Sequence, residues 1–112
     1  MIKSSINRQA AILAALAHPN RIRIVEELRE GAKCNCELVP VLNLEQSNLS
    51  RHLKILVQAG ILISWRDGVR VNFRIADEKI FNVLDQVLSI ASGNVAEHRM
   101  GLQDASLRSV IQ

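Results

Sequence analysis

The sequence is poor in aromatic and sulfur-containing residues, and each shortage excludes a class of function. Its 112 residues include no tyrosine, one tryptophan and two phenylalanines, so a stacking platform for single-stranded nucleic acid is not expected. The two cysteines, Cys34 and Cys36, are too few for a disulfide scaffold and fit thiols, ligands or a redox pair. No apolar run approaches the length of a membrane span, and residues 1–7 do not form a secretory signal. We therefore expect a cytoplasmic protein that contacts no membrane.

The length and the charge distribution indicate one small domain that binds a polyanion. A chain of this length buries a modest fraction of its surface, so a core shared between two copies would help it fold. The net charge of +3 is mild, but the positive charge is concentrated. Between Gln46 and Arg74 there are five arginines and lysines against one acidic residue, Asp67. A basic half of this kind is typical of a surface that faces nucleic acid.

The stretch from Glu45 to Gly60 has the pattern of one amphipathic helix that ends at a glycine. Its apolar stripe consists of Leu49, Leu53, Leu56 and Val57. The opposite face begins with short polar and basic residues, namely Gln46, Ser47, Asn48, Ser50, Arg51 and His52. Such side chains can bond base edges and phosphates when the first turns of a helix enter a major groove. An ordinary solvated helix would show the same pattern, so the neighbouring segments decide between the two.

Three further helices are predicted before this stretch, at residues 4–17, 20–30 and 37–42. His18-Pro19 separates the first two, because proline disfavours helical geometry in the residue before it and suits the start of a new helix. We interpret His18 as a capping residue. In the second helix Ile22, Val25 and Leu28 are expected to face inward. The short third helix, a turn at residues 43–44 and the polar-faced helix together predict a helix-turn-helix.

After Gly60 apolar and polar residues alternate, which predicts two strands joined near Asp67-Gly68. A two-residue Asp-Gly loop would pair Trp65 with Arg70 and mix the two faces. We therefore expect a three-residue loop over 66–68, which pairs Trp65 with Val69 and keeps one face apolar. Arg66 then lies at the tip and Arg70 on the outer face. This hairpin is predicted to be a wing that touches DNA backbone or minor groove through both arginines.

The last periodic segment, residues 77–91, has an apolar stripe that is wide for a helix following a small domain. The first helix also has more apolar residues than one small domain would bury. We therefore expect a twofold interface built from the first and last helices. Gly93-Asn94 is expected to end the last helix. The predicted organisation is thus a DNA-binding domain with dimerisation helices over residues 1–94. A tail or weak extra helix would occupy residues 95–112.

Together these segments resemble the ArsR/SmtB family of repressors. The resemblance covers about Leu16 to Ile75, and it is carried by L-A-H-P-N-R-I-R-I-V-E-E-L (16–28), C-x-C (34–36), S-N-L-S-R-H-L-K-I-L-V-Q-A-G (47–60) and R-D-G-V (66–69). It implies a mainly α fold with a β-hairpin wing, a winged helix-turn-helix that dimerises through its first and last helices. It also implies a homodimer that binds operator DNA and leaves it when an inducer binds.

The resemblance implies an inducer site at Cys34 and Cys36, because many arsenic- and metal-sensing members carry a thiolate pair there. Members that bind arsenite through three thiolates often have a third cysteine three positions on, where this chain has Val39. A second family site, on the last helix, is not expected. That site would begin at Asp77 and have histidine two residues later, where this chain has Lys79.

The chemistry of two thiols two residues apart limits the ligand. On a regular helix such residues project about 200° apart, so both sulfurs reach one atom only if the turn is extended or distorted. Soft thiolates suit a trivalent arsenic species first and a soft divalent metal second. A nearby helix start and Lys33 would favour the thiolate form. Because a third thiol is missing, a monosubstituted arsenical is expected to bind as well as arsenite or better.

Two alternatives to this sensor remain open. The cysteines could oxidise to a disulfide, which would make the protein a thiol-redox-responsive repressor. The chain could also be a constitutive winged-helix protein that binds DNA and senses no ligand. An enzyme is not expected, because Cys34 has no neighbouring histidine and orienting carboxylate in any readable motif. No organic cofactor is predicted.

Overall fold

The computed structural model describes the backbone of residues 2–101 and the side chains of residues 4–93. Over that part of the chain the elements are α1 (Ile2–Leu16), α2 (Pro19–Glu27), β1 (Lys33–Cys34), α3 (Asn35–Leu42), α4 (Gln46–Gln58), β2 (Leu62–Asp67), β3 (Arg70–Ile75) and α5 (Lys79–Gly101). Contacts divide them into two units, one up to Glu78 and one from Lys79 onward. No helix among the described residues is both long enough and apolar enough to cross a membrane.

The junction between α1 and α2 forms as the sequence predicts. His18 is the N-cap of α2, and its Nδ1 accepts a hydrogen bond from the backbone N–H of Asn20 at 3.1 Å. Proline at the first position of α2 loses no hydrogen bond, because that N–H has no partner within the helix. In α2 the buried residues are Ile24 and Val25. The prediction that Ile22 faces inward is wrong, since its side chain is exposed.

The turn between α3 and α4 depends on one left-handed residue. Asn43 has φ 56° and ψ 48°, and its N–H donates to the carbonyl of Pro40 at 3.3 Å. Asparagine tolerates this conformation better than most residues. α3 begins at Asn35, two residues earlier than predicted, so Pro40 lies in its second turn. The turn sets α4 against α3, as in a helix-turn-helix.

The end of α4 confirms the glycine stop that the sequence predicts. Gly60 has φ +80°, its N–H donates to Val57, and the N–H of Ile61 donates to Leu56. Both hydrogen bonds are 3.0 Å long, and together they are the pair that closes a helix with a left-handed glycine. Ile61 and Leu62 are buried directly after this turn. The chain therefore passes from α4 straight into the sheet.

The sheet has the order β1-β3-β2, and all its pairs are antiparallel. Asp67 pairs with Arg70 and Ser64 with Phe73, so the loop consists of Gly68 and Val69. The predicted three-residue loop is wrong, and the tip is Gly68-Val69 rather than Arg66. Gly68 has φ +65° and Val69 does not have a positive φ. This pattern fits the type II′ turn, which has glycine at its first central position.

This register reverses the predicted faces of β2 and leaves those of β3 as predicted. Phe73 is 6% exposed and turned to the core, whereas Trp65 is 41% exposed. The inner face carries Leu62, Ser64, Val71 and Phe73, and the outer face carries Ile63, Trp65, Asn72 and Arg74. Burial of both Leu62 and Phe73 against the helices decides the register, because a one-residue shift between β2 and β3 would place the two on opposite faces and expose one of them.

Within the first unit, the described elements surround one apolar core. Its fully buried side chains include Ile24, Val25, Leu38, Leu49, Leu56 and Ile61. α3 packs against α4, β1 and β3, and α4 packs against β2. The predicted fold class is confirmed, since this order of helices followed by an antiparallel hairpin is a winged helix-turn-helix.

α5 differs from its predicted extent. It continues through Gly93 and Asn94 to Gly101, so the predicted end at Gly93-Asn94 is wrong. A single glycine inside a helix costs only about 1 kcal/mol relative to alanine, which the surrounding turns can offset. The predicted boundary at residue 94 lies within this helix. Residues 102–112 of the predicted tail lie outside the described residues.

Candidate nucleic-acid interface and thiol pair

The polar face of α4 is open to solvent while its apolar face is buried. Leu49, Leu53 and Leu56 lie in the core. The exposed side chains of the opposite face are Gln46, Ser47, Ser50, Arg51, Lys54 and Gln58, with Asn48 half-buried beside them. The helix thus presents five of the six predicted DNA-facing residues on one accessible side. Sequence reasoning missed Lys54, although its spacing of four residues from Ser50 places it on the same face.

A hydrogen bond within this face holds one cation in place. Nη2 of Arg51 donates to Oδ1 of Asn48 at 2.7 Å, one turn earlier on the helix. An arginine fork fixed in this way keeps further N–H donors for a phosphate or a guanine edge. Asn48 therefore orients Arg51 as well as offering its own amide.

His52 is separated from this face. Its side chain is 6% exposed, and its ring lies 4.5 Å from the ring of His18, centroid to centroid. Nδ1 of His52 is buried and has no hydrogen-bond partner in the described part of the chain. Burial lowers the pKa of His52, and the charges of His18, Arg21 and Arg51 lower it further. His52 joins α4 to the α1–α2 junction, and this position does not fit a contact with DNA.

The two predicted wing arginines lie on opposite faces of the hairpin. Arg66 pairs with Val71 and shares the inner face, which looks toward α4. Arg70 pairs with Asp67 and shares the outer face. Both side chains are exposed, so they flank the Gly68-Val69 tip. Val69 is 94% exposed, and it lies in the turn instead of pairing with Trp65 as predicted.

The two cysteines are joined in a disulfide, with 5.2 Å between their Cα atoms. Cys34 is the N-cap of α3, with extended backbone at φ −85° and ψ 163°. Only Cys36 lies within the helix. The extended turn that two converging sulfurs require is therefore present, because the pair straddles the start of α3. Cys34 is fully buried and Cys36 is exposed, so a reagent reaches the pair from the side of Cys36.

Polar neighbours fix the geometry around the thiol pair. Oε1 of Glu37 accepts the N–H of Cys34 at 2.9 Å, and Oδ1 of Asn35 accepts the N–H of Cys36 at 3.0 Å. Nζ of Lys33 donates to Glu27 and Glu30 at 3.0 and 3.1 Å, and these hydrogen bonds raise the pKa of Lys33. Its charge is thus balanced by carboxylates. Lys33 therefore favours the thiolate form of the cysteines only weakly.

The residues around the pair do not complete a metal site. Across the described side chains, no group of three or more histidine, cysteine, aspartate or glutamate residues is arranged to hold a metal ion. The chain contains no third cysteine. A ligand of this pair would therefore bind through two sulfurs, with other positions filled by groups that the ligand itself brings.

Comparisons with known proteins agree with this architecture. The family described as "Bacterial regulatory protein, arsR family" matches residues 18–64. The chain is 47% identical over 77 residues to the HTH-type transcriptional repressor SmtB of Mycobacterium tuberculosis, a match that covers 68% of this chain and 57% of that protein. It is 35% identical over 75 residues to the arsenical resistance operon repressor of Bacillus subtilis, covering 66% of this chain and 71% of that protein.

A solved structure shows the same fold. The homodimeric winged helix-turn-helix DNA-binding domain Mb0332 of Mycobacterium bovis superposes with a TM-score of 0.76 at 23% identity, covering 86% of this chain and 89% of that one. Both relatives named above are repressors. The helix-turn-helix, the matched family segment and the repressor similar over 71% of its length lead to one conclusion. The chain belongs to the arsR family of bacterial regulatory proteins.

Proposed function

We propose that this chain is a transcriptional repressor that binds operator DNA as a homodimer in the cytoplasm. The observation that carries the proposal is the exposed face of α4, with Ser50 and Arg51 pointing outward while Leu49 and Leu53 are buried. The first turns of α4 would enter the major groove, where Gln46, Ser47, Asn48, Ser50 and Arg51 reach base edges and phosphates. Arg66 and Arg70 would straddle a backbone or minor groove on either side of the wing tip. His52 is left out of this set because it is buried.

A second copy would cover the apolar side chains that α1 and α5 leave exposed. On α1 these are Ile6, Ile12 and Leu13, and on α5 they are Val83, Val87, Leu88 and Ile90. Apolar rows of this extent on a small domain are typical of an interface. A twofold axis would place two α4 helices in successive major grooves, about one DNA turn apart.

The switch proposed for this repressor is the pair Cys34 and Cys36. In its reduced form the pair would bind a trivalent arsenic species, or a soft divalent metal, and the protein would leave its operator. The similar Bacillus subtilis protein is an arsenical resistance operon repressor, which supports arsenic as the inducer class. The absence of a third thiol favours a monosubstituted arsenical over arsenite.

A second candidate function is supported by the disulfide. The sulfurs of Cys34 and Cys36 can bond to each other, so an oxidant that accepts two electrons and two protons would convert the dithiol to the bridged form. The protein would then be a redox-responsive repressor that uses the same two residues. The difference between the candidates is chemical, since a reductant reverses oxidation whereas a competing dithiol removes arsenic.

The experiment that tests the function is a DNA-binding titration on the promoter of the protein's own transcription unit. Reduced protein is expected to retard this fragment more strongly than a fragment of equal length and unrelated sequence. The ratio of the two affinities should stay large as salt rises, because only the phosphate contacts are lost to salt. Equal affinity for both fragments at every salt concentration would contradict a sequence-specific repressor.

A further inference from the structure

A groove with a volume of about 330 Å³ lies beside the DNA-facing helix and is not used by the proposed switch. It is bounded by the second half of α4, the first residue of α3 and the inner face of the hairpin. Its floor consists of Leu53, Val57, Val71 and Phe73. Leu53 and Phe73 are buried core residues, so the floor is fixed by the packing of α4 against the sheet.

The rim of the groove is polar and carries one cation. Ser50, Lys54 and Gln58 from α4 face Ser64 of β2 and Asn35 of α3 across the opening. Lys54 is exposed and makes no hydrogen bond or ion pair in the part of the chain whose side chains are described. No acidic residue lines the groove. An unpartnered ammonium group above an apolar floor is therefore matched by a ligand with one negative charge and a hydrocarbon body.

We propose that this groove is a binding site for a small amphipathic monoanion, such as a medium-chain carboxylate. The carboxylate would pair with Lys54 and accept hydrogen bonds from Ser50 or Ser64, while the hydrocarbon part covers Val57 and Val71. The volume of 330 Å³ lies at the lower end of the range for pockets that hold small organic ligands, roughly 300–1,000 Å³. Pockets of this kind combine an apolar lining with a few polar groups that fix orientation.

The position of the groove gives the ligand an effect on DNA. Ser50 belongs both to the rim of the groove and to the proposed DNA-facing surface, and Lys54 follows one turn later. A carboxylate bound there neutralises a cation and occupies space between α4 and the wing. Ligand and operator should therefore compete. This competition depends on the proposed DNA-binding function, whereas the binding of the ligand to the groove does not.

The test compares two probes, octanoate and octanamide, on the full wild-type chain and on the Lys54→Met variant. Binding is followed by NMR chemical shifts of backbone amides, without DNA. Octanoate should bind the wild-type protein at roughly millimolar Kd or tighter and shift the amides of Val57, Val71 and Phe73. Lys54→Met should weaken octanoate binding about two- to fivefold, a change of about 0.4–1.0 kcal/mol, and leave octanamide binding unchanged.

Arg74→Met is the matched control, because it removes an exposed cation from the outer face of the same hairpin. It should leave the affinity for octanoate unchanged. The inference is overturned if octanoate does not bind, if its shifts map to the outer face around Trp65, or if Lys54→Met weakens both probes equally. If Lys54→Met weakens DNA binding while octanoate fails to bind, the groove only seats a DNA phosphate and the inference is again overturned. If octanoate binds but operator affinity is unchanged at saturation, competition is refuted separately.

Discussion

Cys34 pairs with Asn72 across the sheet, and it is also the N-cap of α3. One cysteine thus connects the central strand of the sheet with the helix that packs against α4. We expect a ligand or bond at its sulfur to act on the hairpin through β3 and on α4 through α3. The proposed thiol switch would use this route within one protomer.

The DNA-facing assignment predicts different effects for α4 and for the wing. Ser50→Ala combined with Arg51→Ala should cost about 1–3 kcal/mol per lost base contact and relax the preference for operator sequence. Arg66→Ala should weaken operator and unrelated DNA alike, because a phosphate contact carries no sequence information. Fluorescence anisotropy at fixed salt, with both DNA fragments, measures the two affinities.

Arg29→Ala is the control for this series, since Arg29 is a cation outside α4 and the hairpin and pairs with Glu26 at 2.6 Å. It should leave both affinities nearly unchanged. If the change at Ser50 and Arg51 leaves operator affinity at the wild-type value, α4 is not the helix that reads the DNA.

The assembly prediction is best tested at an exposed apolar side chain of α5 rather than at a buried one. Leu84 is 8% exposed, so a charge there would test folding. Leu88 is 65% exposed, and Leu88→Glu should produce folded monomers, because an interface would bury an unpaired carboxylate. Sedimentation velocity measures the assembly, and circular dichroism confirms that the monomer is folded.

Val69→Glu provides the matched control, since Val69 is another exposed apolar residue and lies at the wing tip. It should leave the sedimentation coefficient at the dimer value. A wild-type protein that sediments as a monomer at micromolar concentration would count decisively against the proposed homodimer.

Because the pKa of His52 is lowered in the folded protein, stability is expected to fall as the solution becomes acidic. Burial and the nearby charges of His18, Arg21 and Arg51 lower the pKa of His52 in the folded protein. The unfolded chain therefore binds this proton more readily, and the free energy of unfolding decreases as pH falls below the ordinary histidine value of about 6.5. Urea unfolding between pH 5 and 8 measures the dependence. His52→Asn should flatten it, and an equal slope in both proteins would disprove the assignment.

Substitution of two glycines by alanine should change the free energy of unfolding in opposite directions. Gly60 has φ +80°, and no atom lies within 4 Å of the position that a methyl group would occupy there. Gly60→Ala should therefore destabilise the fold by about 1–2 kcal/mol through the backbone alone. Gly93 lies inside α5 without a positive φ and with equal open space, so Gly93→Ala should stabilise the helix by about 0.5–1 kcal/mol. The free energies of unfolding in urea compare the two, and a stabilising Gly60→Ala would contradict the helix end described above.

The helices and several of their boundaries could be predicted from the sequence, because the residues that signal them are local. His18-Pro19 and Gly60 act within one turn of the residues they cap, and the apolar stripe of α4 is continuous. The hairpin register could not be predicted in the same way. A loop over residues 66–68 and a loop of Gly68-Val69 can both join the strands, and the choice depends on whether Leu62 or Trp65 of β2 faces the helices together with Phe73. That contact is between segments distant in the sequence.

The candidate DNA-facing surface and the thiol pair could be predicted only in part, because some of their features also depend on contacts between distant segments. The polar side chains of α4 follow from helical spacing, and the position of Lys54 on the same face follows from the same spacing. The burial of His52 depends on His18, which belongs to a separate helix junction far earlier in the chain, and no local pattern reports it. The convergence of Cys34 and Cys36 depends on where α3 begins, and helix boundaries are the least certain feature of a sequence pattern.

The central claim is that Cys34 and Cys36 switch DNA binding, and operator affinity with and without methylarsenite tests it most directly. The reduced wild-type protein should lose at least tenfold in affinity, which corresponds to about 1.4 kcal/mol between the two forms. Cys34→Ser combined with Cys36→Ser should bind the operator as tightly as the wild type and should not respond. Release by peroxide alone, reversed by dithiothreitol, would identify the redox form of the switch. If the double serine protein still left the operator on addition of methylarsenite, the thiol switch would be refuted.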